Sequence, residues 1–241
     1  MTDDYCHADA GLVYISSSVP GAGCDLSLFE SSPAGCECGR TCSLTCPHYF
    51  RFSHVSESSE SLLVECNDNC SCDSDCSNRV VQRGPHPGLD VVDREGKGRG
   101  VVALETVDPG EFVCEYAGEV IGDKEAGDRW RRQEQEKLSN YILVVRELAG
   151  DRLVQRTNID PTVIGNIGRY LNHSCDPNLS MMTIRSNTMI PHVAFFANRV
   201  IDPGEELCYD YGHSDDKTGS TKCLCSSSNC RGFIPFNPDL G

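Results

Sequence analysis

The chain has 241 residues, a formal net charge of −15 at neutral pH and 39% hydrophobic residues. This length suits one large domain with small appendages, and the hydrophobic content suits a real core. So acidic a surface repels a phosphate backbone, which argues against direct DNA binding, and no apolar run approaches the ~18 residues that a membrane span needs.

Residues 1–23 are expected to carry one strand, 12–15, and a loop through Pro20-Gly21, with no function of their own. The acidic start, Met1-Thr-Asp-Asp-Tyr, lacks the basic residues and apolar stretch of a secretory signal. The sixteen cysteines therefore point to metal rather than to disulfides, which need an oxidising compartment. Residues 24–84 hold the first group. Cys36-x-Cys38-x3-Cys42-x3-Cys46 is followed by a loop rich in Ser and Glu over 53–61, then by Cys66-x3-Cys70-x-Cys72-x3-Cys76. Such spacing crowds thiolates within a few ångströms, where a metal relieves their repulsion, and zinc takes four ligands at about 2.3 Å to sulfur. The plainer alternative, two ordinary zinc ribbons, does not need two dense Cys-x-Cys groups.

Residues 85–212 read as short β-branched and aromatic runs: 89–92, 100–104, 111–114, 118–121, 141–145 and 193–196. Asp108-Pro-Gly110 and Asp202-Pro-Gly204 are turn signals. One helix is expected over 123–138, with Asp123 as its N-cap, inside an insert of about 122–155. The predicted class is mostly β with a small α part. Gly96-Lys97-Gly98-Arg99-Gly100 lets the main chain approach a ligand closely, although a plain loop has the same composition. Next come Gly168-Arg-Tyr-Leu-Asn-His-Ser-Cys-Asp-Pro-Asn178 and Gly204-Glu-Glu-Leu-Cys-Tyr-Asp-Tyr211. In the tail, 213–241, Cys223-x-Cys225-x4-Cys230 supplies three thiolates, and Cys175 is the candidate fourth ligand. Cys114 and Cys208 fall in expected strands and read as small core residues, while Cys6 has no assigned role.

The last two motifs resemble the signature segments of SET-domain protein lysine methyltransferases. The cysteine groups resemble the pre-SET and post-SET zinc modules that flank that domain, and the resemblance spans about residues 20–237. It implies a SET fold of small sheets in which the Asn172 and Tyr211 segments pass through one another as a pseudoknot, an exception to the rarity of threaded connections. It implies S-adenosylmethionine as cofactor and three zincs in the first cluster, with Cys36, Cys42 and Cys66 bridging and Cys38, Cys46, Cys70, Cys72 and Cys76 terminal. The family's remaining ligand position falls on His48, and Cys24 is the rival. A fourth zinc takes Cys175, Cys223, Cys225 and Cys230.

The same resemblance makes Tyr211 the catalytic tyrosine, puts Tyr116 in the channel for the target lysine and makes Tyr209 the residue that limits methyl number to one or two. Lys97, Gly98, Arg99, Gly100, Tyr141, Arg169, Asn172, His173 and Phe233 would meet the cofactor. Arg99 stands where the family has tryptophan, so ring packing beside the cofactor is lost. The implied partner is the histone H3 tail of a nucleosome, at lysine 9 or lysine 36, with action by a monomer in the nucleus on the chromosome and no membrane contact. The alternative is a catalytically silent chromatin-binding module. Arg99 leaves that opening, and the presence of Asn172, His173 and Tyr211 speaks against it.

Overall fold

A computed structural model describes residue 9 and residues 11–49, 62–212 and 221–235. Cys6, the serine-rich loop over 53–61 and most of the linker before Lys222 lie outside the described residues. In chain order the elements are β1 (Val13–Tyr14), β2 (Val19–Pro20), α1 (Ser27–Glu30), β3 (Leu63–Val64), β4 (Leu89–Arg94), β5 (Gly98–Ala103), β6 (Phe112–Glu115), β7 (Gly118–Ile121) and α2 (Asp123–Glu136). There follow β8 (Leu143–Ala149), β9 (Arg152–Gly165), β10 (Asn172–His173), β11 (Leu179–Arg185), β12 (His192–Ala197) and β13 (Glu206–Tyr209).

Three small sheets form. One runs β1-β9-β7-β2 with β8 also on β9, the second runs β10-β13-β5-β4, and the third runs β3-β11-β12-β6. The β12 sequence His-Val-Ala-Phe-Phe-Ala is buried at all but its first residue, so both faces of this strand meet protein. Its Phe195 joins Val101, Val113, Ile201 and Leu207 in the main core. Full burial of each such side chain contributes roughly 1.5–3 kcal/mol. The cysteines of the first group form a separate buried core of their own, with Cys36, Cys46, Cys66, Cys72 and Cys76 at its centre.

Helix α2 buries Ala126 and packs Trp130 against Ile121 and Ile142. Its N-cap is Gly122 rather than the expected Asp123. Asp123 instead starts the first turn, where its carboxylate suits the helix dipole and accepts from Asn158 Nδ2 at 2.8 Å. The pairing that matters most for function is β10 beside β13. These run parallel, with Asn172 opposite Cys208 and His173 opposite Tyr209, although the β11–β12 hairpin of another sheet separates them in sequence. On its other side β13 pairs with β5, so both signature motifs and the glycine-rich stretch share one sheet.

Candidate active site and metal centres

Where β10 and β13 meet the start of β5, the wall of α2 and the tail, the fold leaves an open cavity of about 800 Å³. Tyr116, Tyr209 and Tyr211 line it together. The Tyr209 ring lies 4.6 Å from Phe195 and 4.7 Å from Tyr211, centroid to centroid, so packing fixes its orientation. The Tyr211 hydroxyl donates to Leu171 O at 2.8 Å. Its backbone N–H donates to His173 Nδ1 at 3.2 Å, which places the ring proton of a neutral His173 on Nε2. Burial pushes the His173 pKa down, favouring that neutral form. Tyr116 donates to Tyr141 O at 2.5 Å. Burial raises the phenols of Tyr116, Tyr209 and Tyr211 above their ordinary value, so all three hydroxyls stay protonated at neutral pH. Tyr211 is 41% exposed and lines the cavity.

The cavity is also lined by Lys97, Gly98, Arg99, Tyr141, Arg169 and Asn172. Gly98 has φ +78°, a backbone conformation that glycine adopts without strain. Gly100 lies behind the wall. A Cβ there would come within 2.7 Å of Glu206 Oε1 and 3.0 Å of Asn172 Nδ2, so a larger residue would have to displace these two side chains. Asn172 Nδ2 donates to Arg99 O at 2.9 Å and to Glu206 Oε1 at 2.8 Å. Lys97 Nζ reaches Glu206 Oε2 at 2.8 Å. Glu206 thus ties both signature motifs to the glycine-rich stretch, a role that sequence reasoning missed. Its neighbour Glu205 faces Arg199 and Asn178 instead, and nothing local distinguishes the two carboxylates.

The Arg169 guanidinium sits 4.4 Å from the Tyr141 ring centre. Arg169 Nε is a buried donor with no hydrogen-bond partner among the described residues. Cationic donors, aromatic faces and an open glycine main chain on one wall suit a ligand with a carboxylate and a flat ring, which fits S-adenosylmethionine. Phe233 is not part of this wall. It bridges to Lys222, and Ile234 and Pro235 face the cavity in its place.

The first cysteine group closes into a triangle. Sγ atoms of Cys36, Cys42 and Cys66 lie 3.6, 3.6 and 3.9 Å apart. A tetrahedral zinc with bonds of about 2.3 Å sets neighbouring sulfurs about 3.8 Å apart, so these three suit shared ligands. Cys38 and Cys46 complete one possible quartet with Cys36 and Cys42, and Cys72 completes another with Cys36, Cys42 and Cys66. His48 joins Cys36, Cys46 and Cys66 in a third. Its Nδ1 lies 3.4 Å from Cys70 Sγ, and burial lowers its pKa toward the neutral, metal-binding form. Cys76 is 2% exposed in the same core, whereas Cys24 packs against the main core. Far along the chain, Cys175, Cys223, Cys225 and Cys230 form a further quartet. Burial raises the Cys225 thiol, but the Ser227 hydroxyl and nearby backbone amides outweigh it and bring the pKa to about 5. This quartet ties the tail to the end of β10, and Arg231 behind it bonds to Asp210 Oδ1 at 2.6 Å.

Residues 98–212 match the family model described as the SET domain. The chain is 42% identical over 238 residues to the probable histone-lysine N-methyltransferase set-23 of Caenorhabditis elegans, covering 92% of this chain and 96% of that one. It belongs to the SET-domain histone-lysine N-methyltransferases. Among solved structures of this family, the methyltransferase domain of human SETMAR superposes with a TM-score of 0.80 at 36% identity, covering 95% of this chain and 91% of that one. KRYPTONITE, solved with methylated DNA, an H3(1–15) peptide and SAH, gives a TM-score of 0.73 at 27% identity, over 93% of this chain and 48% of that one. The SET-domain membership accounts for the β-rich fold and for cysteine clusters on both flanks of the matched region.

Proposed function

We propose that this enzyme transfers methyl groups from S-adenosylmethionine to one lysine of the histone H3 tail, lysine 9 or lysine 36, on chromatin in the nucleus, and stops at mono- or dimethyl-lysine. The observation that carries this reading is the convergence of Tyr116, Tyr209 and Tyr211 on the cavity that residues 96–99, Asn172 and His173 also line. When bound, S-adenosylmethionine supplies a methyl group activated by a sulfonium. The main chain of residues 97–99 would hold it, with Tyr141, Arg169, Asn172 and His173, and the tail at Ile234 and Pro235 would cover it. A KRYPTONITE structure containing SAH and an H3 peptide supports both the cofactor and the substrate class.

The chain's own residues govern the target lysine. A free lysine has a pKa near ~10.4 and enters as an ammonium. A passage walled by the rings of Tyr116, Tyr209 and Tyr211 disfavours the charged form, so the proton leaves to water and the amine is left neutral. With its proton given to Leu171 O, the Tyr211 hydroxyl offers oxygen lone pairs that orient the reacting groups, and alignment of this kind is the main catalytic contribution. The Tyr209 hydroxyl narrows the space in which a methylated amine can turn. The net charge of −15 draws in a basic histone tail.

In this reading residues 1–23 are an N-terminal segment, 24–84 the pre-SET module, 85–212 the catalytic domain and 213–241 the post-SET module. Cys36, Cys38, Cys42, Cys46, His48, Cys66, Cys70, Cys72 and Cys76 hold three zincs, and Cys175, Cys223, Cys225 and Cys230 hold one. All four sites are filled by protein ligands, so their role is structural. The test is mass spectrometry of H3 after incubation of recombinant nucleosomes with the enzyme and S-adenosylmethionine. The expected product is mono- and dimethyl-lysine at one position, shifting toward trimethyl-lysine with Tyr209→Phe. Unmodified H3, or trimethyl-lysine as the main wild-type product, would contradict it.

A further inference from the structure

The N-terminal segment reaches the cofactor end of the cavity. β1 pairs in parallel with the end of β9, Val13 opposite Ile164 and Tyr14 opposite Gly165, and Ile15 N donates to Gly165 O at 3.0 Å. A turn closed by Leu12 N to Asp9 O, 3.1 Å, carries residue 9 back over the stretch that follows β9. Asp9 thereby becomes part of the cavity wall.

Its carboxylate is divided between two partners. Oδ1 forms an ion pair with Arg99 Nη1 at 2.5 Å, and Oδ2 accepts from the Tyr170 hydroxyl at 2.5 Å. Arg169 Nη1 is 3.8 Å from the same oxygen. The Arg99 guanidinium also lies 5.8 Å from the Tyr170 ring centre. The Tyr170 hydroxyl, with Arg99 and Arg169 beside it, holds the Asp9 carboxyl below the usual carboxylate range against the opposing effect of burial. By the resemblance to the family, Arg99 stands where a tryptophan is expected. Here the support that an aromatic ring would give comes instead from an ion pair to the N-terminal segment.

We propose that Asp9 is a positioning residue of the cofactor site, one that fixes Arg99 and Tyr170 and, through them, the main-chain wall at 97–99 and the Arg169 guanidinium. The proposal rests on the reading of this cavity as the S-adenosylmethionine site. It makes the first residues part of the binding machinery rather than packing for the domain. Without the carboxylate, Arg99 keeps its charge but loses its anchor, and its side chain is free to swing into the space beside Arg169. Two guanidiniums with no anion between them then repel each other at the ligand's edge.

The test is calorimetric binding of S-adenosylhomocysteine to the full chain, with melting temperature recorded beside it. Asp9→Ala and the milder Asp9→Asn are expected to weaken binding about tenfold, equivalent to the ~1.4 kcal/mol of one charge-assisted contact. Because Asp9 sits on the rim, the melting temperature of the ligand-free protein should move little. KM for S-adenosylmethionine should rise with kcat kept within about twofold, as loss of uniform binding requires. Arg99→Trp in the Asp9→Ala background should restore affinity to within about threefold of wild type. Unchanged affinity in both Asp9 variants, beside a wild type that binds, would overturn the proposal and leave the assigned function standing. A zinc-loaded wild type that binds no S-adenosylhomocysteine would overturn the cofactor reading and this proposal with it.

Discussion

At Glu206 a single carboxylate accepts from Asn172 and Lys97, and a Cβ on Gly100 would crowd it. All three residues lie in motifs of the sequence, but only Asn172 and Lys97 were expected at the cofactor site. Glu206 was not, because its role exists only once segments 34 and 109 residues apart in sequence have met. The tyrosines show the same limit from another side. A half-buried strand tyrosine and a channel tyrosine look alike in sequence, and only the shared cavity separates Tyr116 from an ordinary core residue. Away from the site, His192 bridges Ser186 Oγ at 2.7 Å and Glu115 Oε2 at 2.9 Å. Burial lowers its pKa, but the Glu115 carboxylate more than offsets this and holds it above the ordinary 6.5. The folded state therefore binds this proton more tightly than the unfolded chain does. Its stabilisation is complete below about pH 6.5 and is lost as pH rises through the higher folded value. The melting-temperature gap between wild type and His192→Gln should be wider at pH 6 than at pH 8.5, and a gap that widened with pH would contradict this assignment.

The elements divide by how locally they are determined. Helix α2 was legible from its run of Glu, Lys, Arg and Gln, and the glycine-bounded β7 from its composition. β9 was not, and its fourteen residues crossed the expected end of the insert at 155. Its N-terminal half is polar and pairs with β8, while its C-terminal half pairs with β7 through a register shift between Gly118 and Glu119. Pro161 falls within that shift, where a missing N–H costs no ladder bond. β11 was missed as well, since Leu-Ser-Met-Met-Thr-Ile-Arg has few β-branched residues and takes its conformation from β12 beside it. What holds α2 to the sheet is Arg129, which meets Glu119 at 2.7 Å, Asp160 at 2.8 Å and Glu125 at 2.8 Å. Asp160 is 1% exposed. Arg129→Met should cost about 3–5 kcal/mol, because it leaves that carboxylate buried and unpaired. Urea unfolding followed by circular dichroism measures this directly, and a loss under about 1 kcal/mol would show that the helix is held by its apolar face alone.

Across the whole molecule, the cysteine groups were the plainest signal in the sequence, and the fold gathers them into quartets that could hold a metal ion. The choice between His48 and Cys24 was open in the sequence, and the placement of Cys24 against the main core favours His48. In the tail, Ile234 and Pro235 line the cavity where the motif pointed to Phe233. The N-terminal segment was the least legible part. It borders the first sheet on both sides, through β1 on β9 and β2 on β7, and it carries Asp9 into the cavity. Two signature segments, a glycine-rich stretch and a tail thus enclose one cavity, and the central claim is that chemistry occurs there on alignment supplied by Tyr211. The most direct test is transfer of labelled methyl groups to nucleosomes by wild type and Tyr211→Phe at equal zinc content. The account predicts transfer by wild type, a loss of about a hundredfold or more in the variant and unchanged S-adenosylhomocysteine binding in both. Equal rates in the two proteins would contradict it.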